Sequence, residues 1–581
     1  MKLRTVLFAF LFALATSAAY AQTNEPEKAA PPADQPKADT PAAPEMPPDA
    51  KAFREASRIN DPAQKIAALE KFKKDFPDSP SIAAANLGIL STLASKTPPE
   101  TERIQQFAKT TLAGAKDKKE KGSLSGEIAE ALLTHNVLLK DAEKYAKASV
   151  DSLKQAEFIA DQKAQFAKYA AAETGGSGKP QPPTDEELIK RFNQHRAGRI
   201  GTLGRVEFKL GKIAAAQKLL DESWAADADQ PAVAAALGEL AVDRGDDAKA
   251  LDYLITARLG GEASPSTIEA LASVYNKTHS DTAAGLEDFL DAEYRKRFPN
   301  PLHLDAYRPT AERSDRLVLA EVFTGSGCGP CVGADLAFDA AMERYSRKDF
   351  AVVMYHQHVP RPDPMSNPDT QARSKYYAVG GVPTYFIDGG SVKYSGAYRE
   401  GTKNVFEHIQ PLIEKELETP AEEKIDVNTS AAGNSVKVTA AVAAVKSESK
   451  DLKIHILLVE KELTYSGENG IRFHPMVVRA MGGKDDDGFP LKPNAPASVE
   501  QVWDLDQVSA GLKAHLDDYE AKGHRGSSFK FIEKKYRIDR GNLAVVVFVQ
   551  DAKNKHILQA AFADLNPPAP RTTTSNAGEP K

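Results

Sequence analysis

The sequence predicts a multidomain chain in which an all-α repeat region is followed by an α/β domain and then by an antiparallel β-sandwich. Three observations predict this order: a helical stretch with a 34-residue internal repeat, a strand–Cys-x-x-Cys–helix pattern, and a late set of short apolar runs. At 62.8 kDa the chain is too long for a single hydrophobic core, so several domains are expected.

The first 21 residues have the pattern of a secretory signal peptide. Lys2 and Arg4 form a basic start, an apolar stretch follows, and Ala19-Tyr20-Ala21 is a small-x-small cleavage site. We therefore expect an exported protein, periplasmic or secreted, in which residues 22–49 form a disordered Pro/Ala-rich linker. The apolar stretch is short for a membrane span, so an uncleaved anchor is only the alternative, and we expect no stable membrane insertion after cleavage.

The overall charge gives no indication of a nucleic-acid partner. The net charge is -6 and the pI is near 6.1, whereas a nucleic-acid-binding surface needs a concentration of basic side chains. No nucleic-acid binding is predicted.

Residues 50–301 are rich in Ala, Leu, Lys and Glu and predict an α-helical repeat domain, with the clearest repeats at 198–299. The repeated residues are Gly204, Gly211, Ala216, Leu220 and Pro231, which recur 34 positions later as Gly238, Gly245, Ala250, Leu254 and Pro265, with Ala284 and Pro299 continuing the register. This period and spacing resemble divergent tetratricopeptide repeats. We expect the small residues to allow close approach of paired helices and the surface to bind a partner protein. A spacer without a ligand is the alternative.

The chain has only two cysteines, Cys328 and Cys331, placed between a predicted strand and a predicted helix. Leu317–Phe323 is rich in branched and aromatic residues, and Cys331–Tyr345 has apolar residues at helical spacing. A helix N-terminus favours the thiolate, which is the form of cysteine that attacks disulfides. An inert local disulfide is the alternative, and a zinc site is disfavoured because it needs about four ligands.

Residues 314–418 resemble the thioredoxin superfamily. Cys328-Gly-Pro-Cys331 matches the family's active-site tetrapeptide residue for residue, and Val382-Pro383-Thr384 is similar to its cis-proline loop. The resemblance implies a thioredoxin fold, an active-site disulfide between the two cysteines, no cofactor, and substrate binding by Val382, Pro383 and Thr384. It also implies a thiol–disulfide oxidoreductase that acts on protein disulfides with a separate electron donor or acceptor. The Gly-Pro pair favours reduction or isomerisation.

The sequence departs from the family at the positions that usually assist the dithiol. Gly327 replaces the tryptophan before the first cysteine, and the family's buried acid falls at Val322. Glu321 is the candidate for this assistance, although strand alternation directs its side chain to the opposite face. An ordinary strand-end acid is the alternative.

Two histidines follow the predicted strand Phe350–Tyr355. His356 and His358 are candidates for tuning the dithiol or for binding copper, and polar loop residues are the alternative. Copper carriers of the superfamily space their cysteines one residue further apart, so we predict no metal site.

Residues 420–565 predict the β-sandwich. Alternating or apolar runs separated by turn residues occur at Ser435–Val442, Leu452–Glu460, Arg472–Met481, Leu543–Val549 and His556–Ala563. Lys484–Gly488 lacks the ligand order of a calcium loop and is expected to be a solvated turn. Residues 566–581 predict a disordered tail.

Two functions from different classes follow from this organisation. The first is an exported thiol–disulfide oxidoreductase whose helical repeats bind a partner. The second is a non-catalytic repeat-based adaptor that carries a thioredoxin-like domain. The placement of both cysteines inside the motif favours the enzyme.

Overall fold

The computed structural model describes residues 47–57, 59, 61–172, 182–261, 263–279, 284–394, 396–421, 423–443, 447, 449–483, 488–522 and 529–565. The expected signal peptide, nearly all of the linker, the acidic turn at 484–487 and the expected tail lie outside these residues. The described chain divides into two compact units, the first running to Ala292 with Tyr519–Lys530, the second formed by Glu293–Asp518 with the residues from Phe531 onward.

The described residues up to Arg297 form helices and their connections, which confirms the predicted all-α region. Its helices are α1 (Pro48–Ser57), α2 (Pro62–Asp75), α3 (Ile82–Ala94), α4 (Thr101–Ala113), α5 (Lys118–Thr134), α6 (Leu139–Ser152), α7 (Gln155–Ala172), α8 (Asp185–Lys209), α9 (Ile213–Ala226), α10 (Pro231–Asp243), α11 (Asp247–Leu259), α12 (Pro265–Thr278) and α13 (Leu286–Arg297). Helices adjacent in sequence pack as pairs, among them α2 with α3, α5 with α6, α8 with α9 and α10 with α11. This arrangement is repeat-like.

Two of the repeated glycines, Gly204 and Gly238, lie where paired helices pack closely, whereas Gly211 and Gly245 lie in turns with positive φ. A Cβ atom on Gly204 in α8 would come within 2.9 Å of Leu220 in α9, and one on Gly238 in α10 would come within 2.6 Å of Leu254 in α11. Both leucines are fully buried. The 34-residue repeat therefore reflects a glycine–leucine contact that occurs between the two helices of each of these pairs. Ala284 lies in the turn before α13 rather than in a helix, so the last unit departs from the register.

The second unit contains a large mixed sheet and a separate small antiparallel sheet. Its elements are β1 (Val318–Thr324), α14 (Cys331–Arg344), β2 (Phe350–His356), α15 (Pro368–Tyr376), β3 (Thr384–Ile387), β4 (Gly390–Ser391), α16 (Thr402–Glu418), β5 (Ile425–Ala432), β6 (Ser435–Val442), β7 (Leu452–Thr464), β8 (Phe473–Met481), β9 (Phe489–Pro490), β10 (Ala497–Asp504), α17 (Leu505–Ala521), β11 (Leu543–Asp551) and β12 (Ile557–Asp564). The large sheet has the order β12-β11-β7-β8-β2-β1-β3-β4, and β9 pairs with β7. The small sheet has the order β10-β6-β5.

Strand β1 lies inside the large sheet and brings the Cys-x-x-Cys turn to its carboxyl end. β1 pairs parallel to β2 and antiparallel to β3. Helices α14 and α16 contribute residues such as Phe338 and Ile409 to the same hydrophobic core as β1 and β2. Apolar helix faces thus cover the central strands, and the position of the cysteine turn is fixed by them.

The prediction of a β-sandwich as a separate domain at 420–565 is wrong. Strands β7, β8, β11 and β12 belong to the same sheet as β1 and β2, with β8 joining β2 at the pair Met354 and Val477. Only β5, β6 and β10 form a second sheet. A two-layer packing remains, because Val436 and Val438 of β6 pack against Val545 and Val547 of β11 in one hydrophobic core.

The physical reason for this difference is visible in β11. Every residue of β11 is buried: Val545 and Val547 face the core shared with the small sheet, while Val546 and Phe548 face the core shared with α14 and α16. A strand covered on both faces is apolar at successive positions, as central strands of large sheets are. β6, by contrast, buries only alternate residues.

Among the described residues, no helix is both long and apolar enough to cross a membrane.

Candidate active site

Cys328 and Cys331 form a disulfide, with Sγ atoms 2.08 Å apart and Cα atoms 5.3 Å apart. Cys328 lies in the turn after β1, and Cys331 is the first residue of α14. The Cys331 amide donates to the Cys328 carbonyl oxygen at 3.1 Å, which closes this turn at the start of the helix. Cys328 is 2% exposed and Cys331 is fully buried. The two sulfur atoms thus lie at the N-terminus of a helix, with little contact with solvent in the oxidised state.

The Val382–Pro383 peptide is cis and faces the disulfide. The carbonyl oxygen of Val382 lies 3.7 Å from Cys328 Sγ. Val382, Pro383 and Thr384 are each partly exposed, and Thr384 donates its hydroxyl to the Gly381 carbonyl oxygen at 2.8 Å. All three residues expected to bind substrate are therefore on one loop beside Cys328.

A tight contact holds this loop against the cysteine turn. Gly396 has a φ of +36°, and a Cβ atom there would come within 2.2 Å of Pro383 and 2.4 Å of the Pro330 carbonyl oxygen. Only a residue without a side chain fits between the two prolines. Gly396 thereby sets the spacing between the cis-proline loop and the Gly-Pro pair of the motif.

The loop between β7 and β8 packs on the turn that holds Cys328. Asn469 donates its backbone N–H to the Ser326 carbonyl oxygen at 2.9 Å and its side-chain amide to the Cys328 carbonyl oxygen at 3.3 Å. Glu468 forms an ion pair with Arg361 at 2.9 Å. Residues from the region expected to form a separate domain thus help to build the site.

Glu321 lies in a buried network away from the cysteines. Its carboxylate accepts from Arg373 at 2.7 and 3.0 Å, from the Tyr355 hydroxyl at 2.9 Å and from the Tyr377 hydroxyl at 2.5 Å. Arg373 also donates to Gln550 of β11 at 2.8 Å. Strand alternation directs Glu321 to the face opposite Thr324, whose hydroxyl contacts α14. The carboxylate of Glu321 is therefore fully occupied by structural partners.

His356 belongs to a second buried cluster, below the cysteine turn. Its Nδ1 atom lies 2.8 Å from an oxygen of Asp363, which also accepts the Ser326 backbone N–H at 2.7 Å. Burial alone would raise the pKa of Asp363, but the charge and hydrogen bond of His356 and two backbone N–H groups lower it to about 2. The His474 ring packs edge-on against that of His356, and burial and the charge of His356 lower its pKa to about 3.

Asp335 lies on α14, one turn after Cys331, and was not identified from the sequence. Its side chain accepts the Thr324 hydroxyl hydrogen bond at 2.9 Å, while its other oxygen is buried without a hydrogen-bond partner among the described residues. Burial raises the pKa of Asp335 to about 7, against the opposing effects of the charge of His356 and the Thr324 hydrogen bond. The i, i+4 spacing from Cys331 to Asp335 was the signal available in the sequence.

His358 lies on the far side of the loop and does not join the His356 cluster. Its Nδ1 atom accepts the Asp363 backbone N–H at 3.0 Å, and its ring stacks on that of His515 in α17 with the two Nε2 atoms 3.4 Å apart. Within the described ranges, no group of three or more His, Cys, Asp and Glu side chains is arranged to hold a metal ion.

Comparisons with known proteins give only weak likenesses. No family model matches the chain, and no curated protein matches it. HBP35 of Porphyromonas gingivalis is 15% identical over 46% of this chain and 81% of its own, with a TM-score of 0.31. PilF of Pseudomonas aeruginosa is 14% identical over 43% of this chain and 94% of its own, with a TM-score of 0.27. A chain of the APC/C hetero-tetramer Cut9–Hcn1 is 15% identical to this protein over 43% of this chain and 45% of its own, with a TM-score of 0.18. At these scores the likenesses do not establish a shared fold.

Proposed function

We propose that this chain is an exported thiol–disulfide oxidoreductase that exchanges disulfides of proteins through Cys328 and Cys331. The observation that carries the proposal is the disulfide at the N-terminus of α14, with the carbonyl oxygen of the cis Val382–Pro383 peptide 3.7 Å from Cys328 Sγ. The parallel β1–β2 pair, the antiparallel β3 and the helices packed on them resemble the thioredoxin fold. The sequence resemblance supports the same assignment independently.

The proposed exchange uses the two sulfur atoms in turn, first that of Cys328 and then that of Cys331. In the reduced protein, the Cys328 thiolate attacks a substrate disulfide, and a mixed disulfide forms while the second substrate sulfur leaves as a thiolate. Cys331 then attacks Cys328 Sγ, and the substrate leaves with both sulfurs reduced. The N–H groups and dipole of α14 favour the Cys328 thiolate. Two electrons pass from the dithiol to the substrate, so an external electron donor must reduce Cys328–Cys331 again.

The cis-proline loop has a role in binding substrate. Val382 and Thr384 keep polar backbone groups near Cys328, where an extended substrate chain can pair with them as an added strand. Pro383 has no N–H and cannot donate to the thiolate. The helical repeats, in turn, are proposed to bind a partner protein on their surface.

A redox titration tests the proposal. The fraction of Cys328 and Cys331 alkylated after equilibration in glutathione buffers of different ratio gives the reduction potential of the pair. A value near roughly -270 mV supports a reductase, and one near roughly -120 mV supports an oxidant. Cys328→Ser should abolish reduction of a model protein disulfide, whereas Cys331→Ser should accumulate the mixed disulfide. Exchange that persists in Cys328→Ser would contradict the mechanism.

A repeat-based adaptor is the second candidate, and the burial of the disulfide favours it. Cys328 is only 2% exposed, and the β7–β8 loop packs on its turn. For an adaptor, the pair should stay oxidised in the folded protein at every glutathione ratio. Serine at both cysteines should also leave partner binding by the helical repeats unchanged.

A further inference from the structure

We infer that Asp335 accepts the proton that Cys331 must lose before it resolves the mixed disulfide. The inference rests on the proposed thiol–disulfide exchange and names a residue for its second step. It follows from the position of Asp335 on α14, its burial, and the unused hydrogen-bonding capacity of its carboxyl group.

The helix places the carboxyl group on the same face as Cys331. Residues four apart on a helix have Cβ atoms about 5–6 Å apart, and helical side chains lean toward the N-terminus, which is the direction of Cys331 from Asp335. Thr324, at the end of β1, holds one oxygen of the carboxyl group at 2.9 Å. The carboxyl group therefore lies between the last residue of β1 and α14, on the helix face that carries Cys331.

The second oxygen is the group that can receive a proton. This oxygen is buried and has no hydrogen-bond partner among the described residues. Asp335 as a whole is only 6% exposed. A buried polar atom without a partner is costly in a folded protein and calls for an explanation, of which a role in catalysis is one. Here the resolving cysteine, one turn away, has a proton to give up.

The surrounding charges leave Asp335 able to change its protonation near neutral pH. The titratable groups that act on it are His356 at the end of β2, Asp363 in the following loop, and Asp339 one turn further along α14. His356 and Asp363 act on the pKa of Asp335 in opposite directions, so burial dominates and that pKa rises to about 7. A general base is most effective when its pKa lies near the working pH.

The step balances as follows. The Asp335 carboxylate takes the proton from the Cys331 thiol, and the resulting thiolate attacks Cys328 Sγ. The Cys328–Cys331 bond forms as the bond between Cys328 and substrate breaks, and the substrate sulfur leaves with the electron pair as a thiolate that takes a proton from water. Asp335 then returns its proton to solvent. In the opposite direction, the protonated acid supplies the proton to Cys331.

A chromogenic disulfide separates the two steps of exchange. When the reduced full-length chain reacts with dithio-bis-nitrobenzoate, attack by Cys328 releases one coloured thiolate and resolution by Cys331 releases the second. Stopped-flow traces from about pH 5 to about pH 9 give both rates. In the unmodified chain, we expect the second rate to rise with pH through about 7, the pKa of Asp335.

Asp335→Asn should leave the first phase unchanged, slow the second on the order of ten- to hundredfold at neutral pH, and remove the inflection near neutrality. Asp339→Asn is the matched control, because it alters a largely buried carboxyl one turn further along the same helix that is held by Asn300. It should retain both phases and the inflection, which moves only to slightly lower pH because the charge of Asp339 helps to raise the pKa of Asp335.

The outcomes separate the two proposals. If the chain shows no first phase, thiol–disulfide exchange itself is wrong. If both phases occur but Asp335→Asn behaves like Asp339→Asn, the role of Asp335 is wrong. Should Asp335→Asn fail to fold, Thr324→Val keeps the carboxyl group and removes the hydroxyl that positions it. A smaller slowing of the second phase in Thr324→Val supports the inference, and an unchanged second phase overturns it.

Discussion

The side-chain amide of Asn469 donates to the carbonyl oxygen of Cys328 at 3.3 Å and to that of Gly325 at 3.4 Å. Together with its backbone bond to Ser326, this residue fastens the β7–β8 loop to the turn that carries the first cysteine. An external thiol must reach Cys328, which is 2% exposed in the disulfide state, before it can reduce the disulfide. The loop is therefore expected to limit how fast external thiols react with the disulfide.

Removing this amide should make the disulfide react faster. Asn469→Ala deletes two hydrogen bonds to the cysteine turn, each worth about 0.5–1.5 kcal/mol, so we expect the rate of reduction by dithiothreitol to rise by a factor of about five or more. Timed acid quenching followed by alkylation of the Cys328 and Cys331 thiols, counted by mass spectrometry, measures this rate. Asn434→Ala, in the turn between β5 and β6, is the control and should leave the rate unchanged. An unchanged rate in Asn469→Ala would show that the loop does not control access.

Sequence reasoning predicted the local elements of the site but not their surroundings. Strand β1 and helix α14 follow from short-range patterns around Cys328 and Cys331, whereas the cis peptide at Pro383 was expected from the resemblance to the thioredoxin superfamily. The contact of Asn469 with Cys328 joins residues 141 positions apart, and no local pattern encodes such a distance. The same is true of the pairing of β8 with β2, which merges two predicted domains into one sheet.

The buried ion pair between Glu321 and Arg373 should be structural rather than catalytic. Arg373→Met would leave the Glu321 carboxylate buried without its cation, which costs about 3–5 kcal/mol in comparable pairs. Urea unfolding measures the loss, with Trp503 fluorescence as the reporter in the second unit. The double variant Glu321→Gln/Arg373→Met should recover part of that loss, because neither position of the pair then carries a buried charge.

A kinetic measurement complements this result. Glu321→Gln alone should keep both phases of the reaction with dithio-bis-nitrobenzoate and their dependence on pH, because its carboxylate faces Arg373, Tyr355 and Tyr377. If Glu321→Gln instead loses the second phase, then Glu321 of β1, and not Asp335, accepts the proton of Cys331.

The repeat glycines were predictable because their role is local and steric. A methyl group on Gly238 would meet Leu254 at 2.6 Å, so Gly238→Ala should force α10 and α11 apart and cost about 1–3 kcal/mol. Urea unfolding monitored by Trp224, the tryptophan of the first unit, measures this cost. Gly114→Ala is the control, because a Cβ there meets its nearest atom at 3.6 Å, an ordinary contact. Equal stability of the two variants would contradict the close packing.

Asp335 was missed because only its spacing of four residues from Cys331 distinguishes it from Asp339, another acid on the same helix, and spacing alone does not reveal burial. The distinction arises from burial, which raises its pKa to about 7. A carboxyl with a higher pKa in the folded state than in the unfolded state stabilises the fold at low pH. This contribution is lost as the pH rises from about 4 to about 7, since the unfolded chain ionises first.

Asp335→Asn removes this dependence. Each pKa unit corresponds to about 1.4 kcal/mol, so we expect the stability of Asp335→Asn relative to the unmodified oxidised chain to increase by roughly 4 kcal/mol between about pH 4 and about pH 8. Urea unfolding followed by Trp503 fluorescence at both pH values measures the change. Asp426→Asn, an exposed acid on β5, should show a difference within about 0.5 kcal/mol at both. A chain that gains stability by losing Asp335 while resolving mixed disulfides more slowly would carry this acid for exchange and not for folding. Parallel curves for Asp335→Asn and the unmodified chain would mean that Asp335 is ionised at both pH values and has no proton to exchange near neutrality.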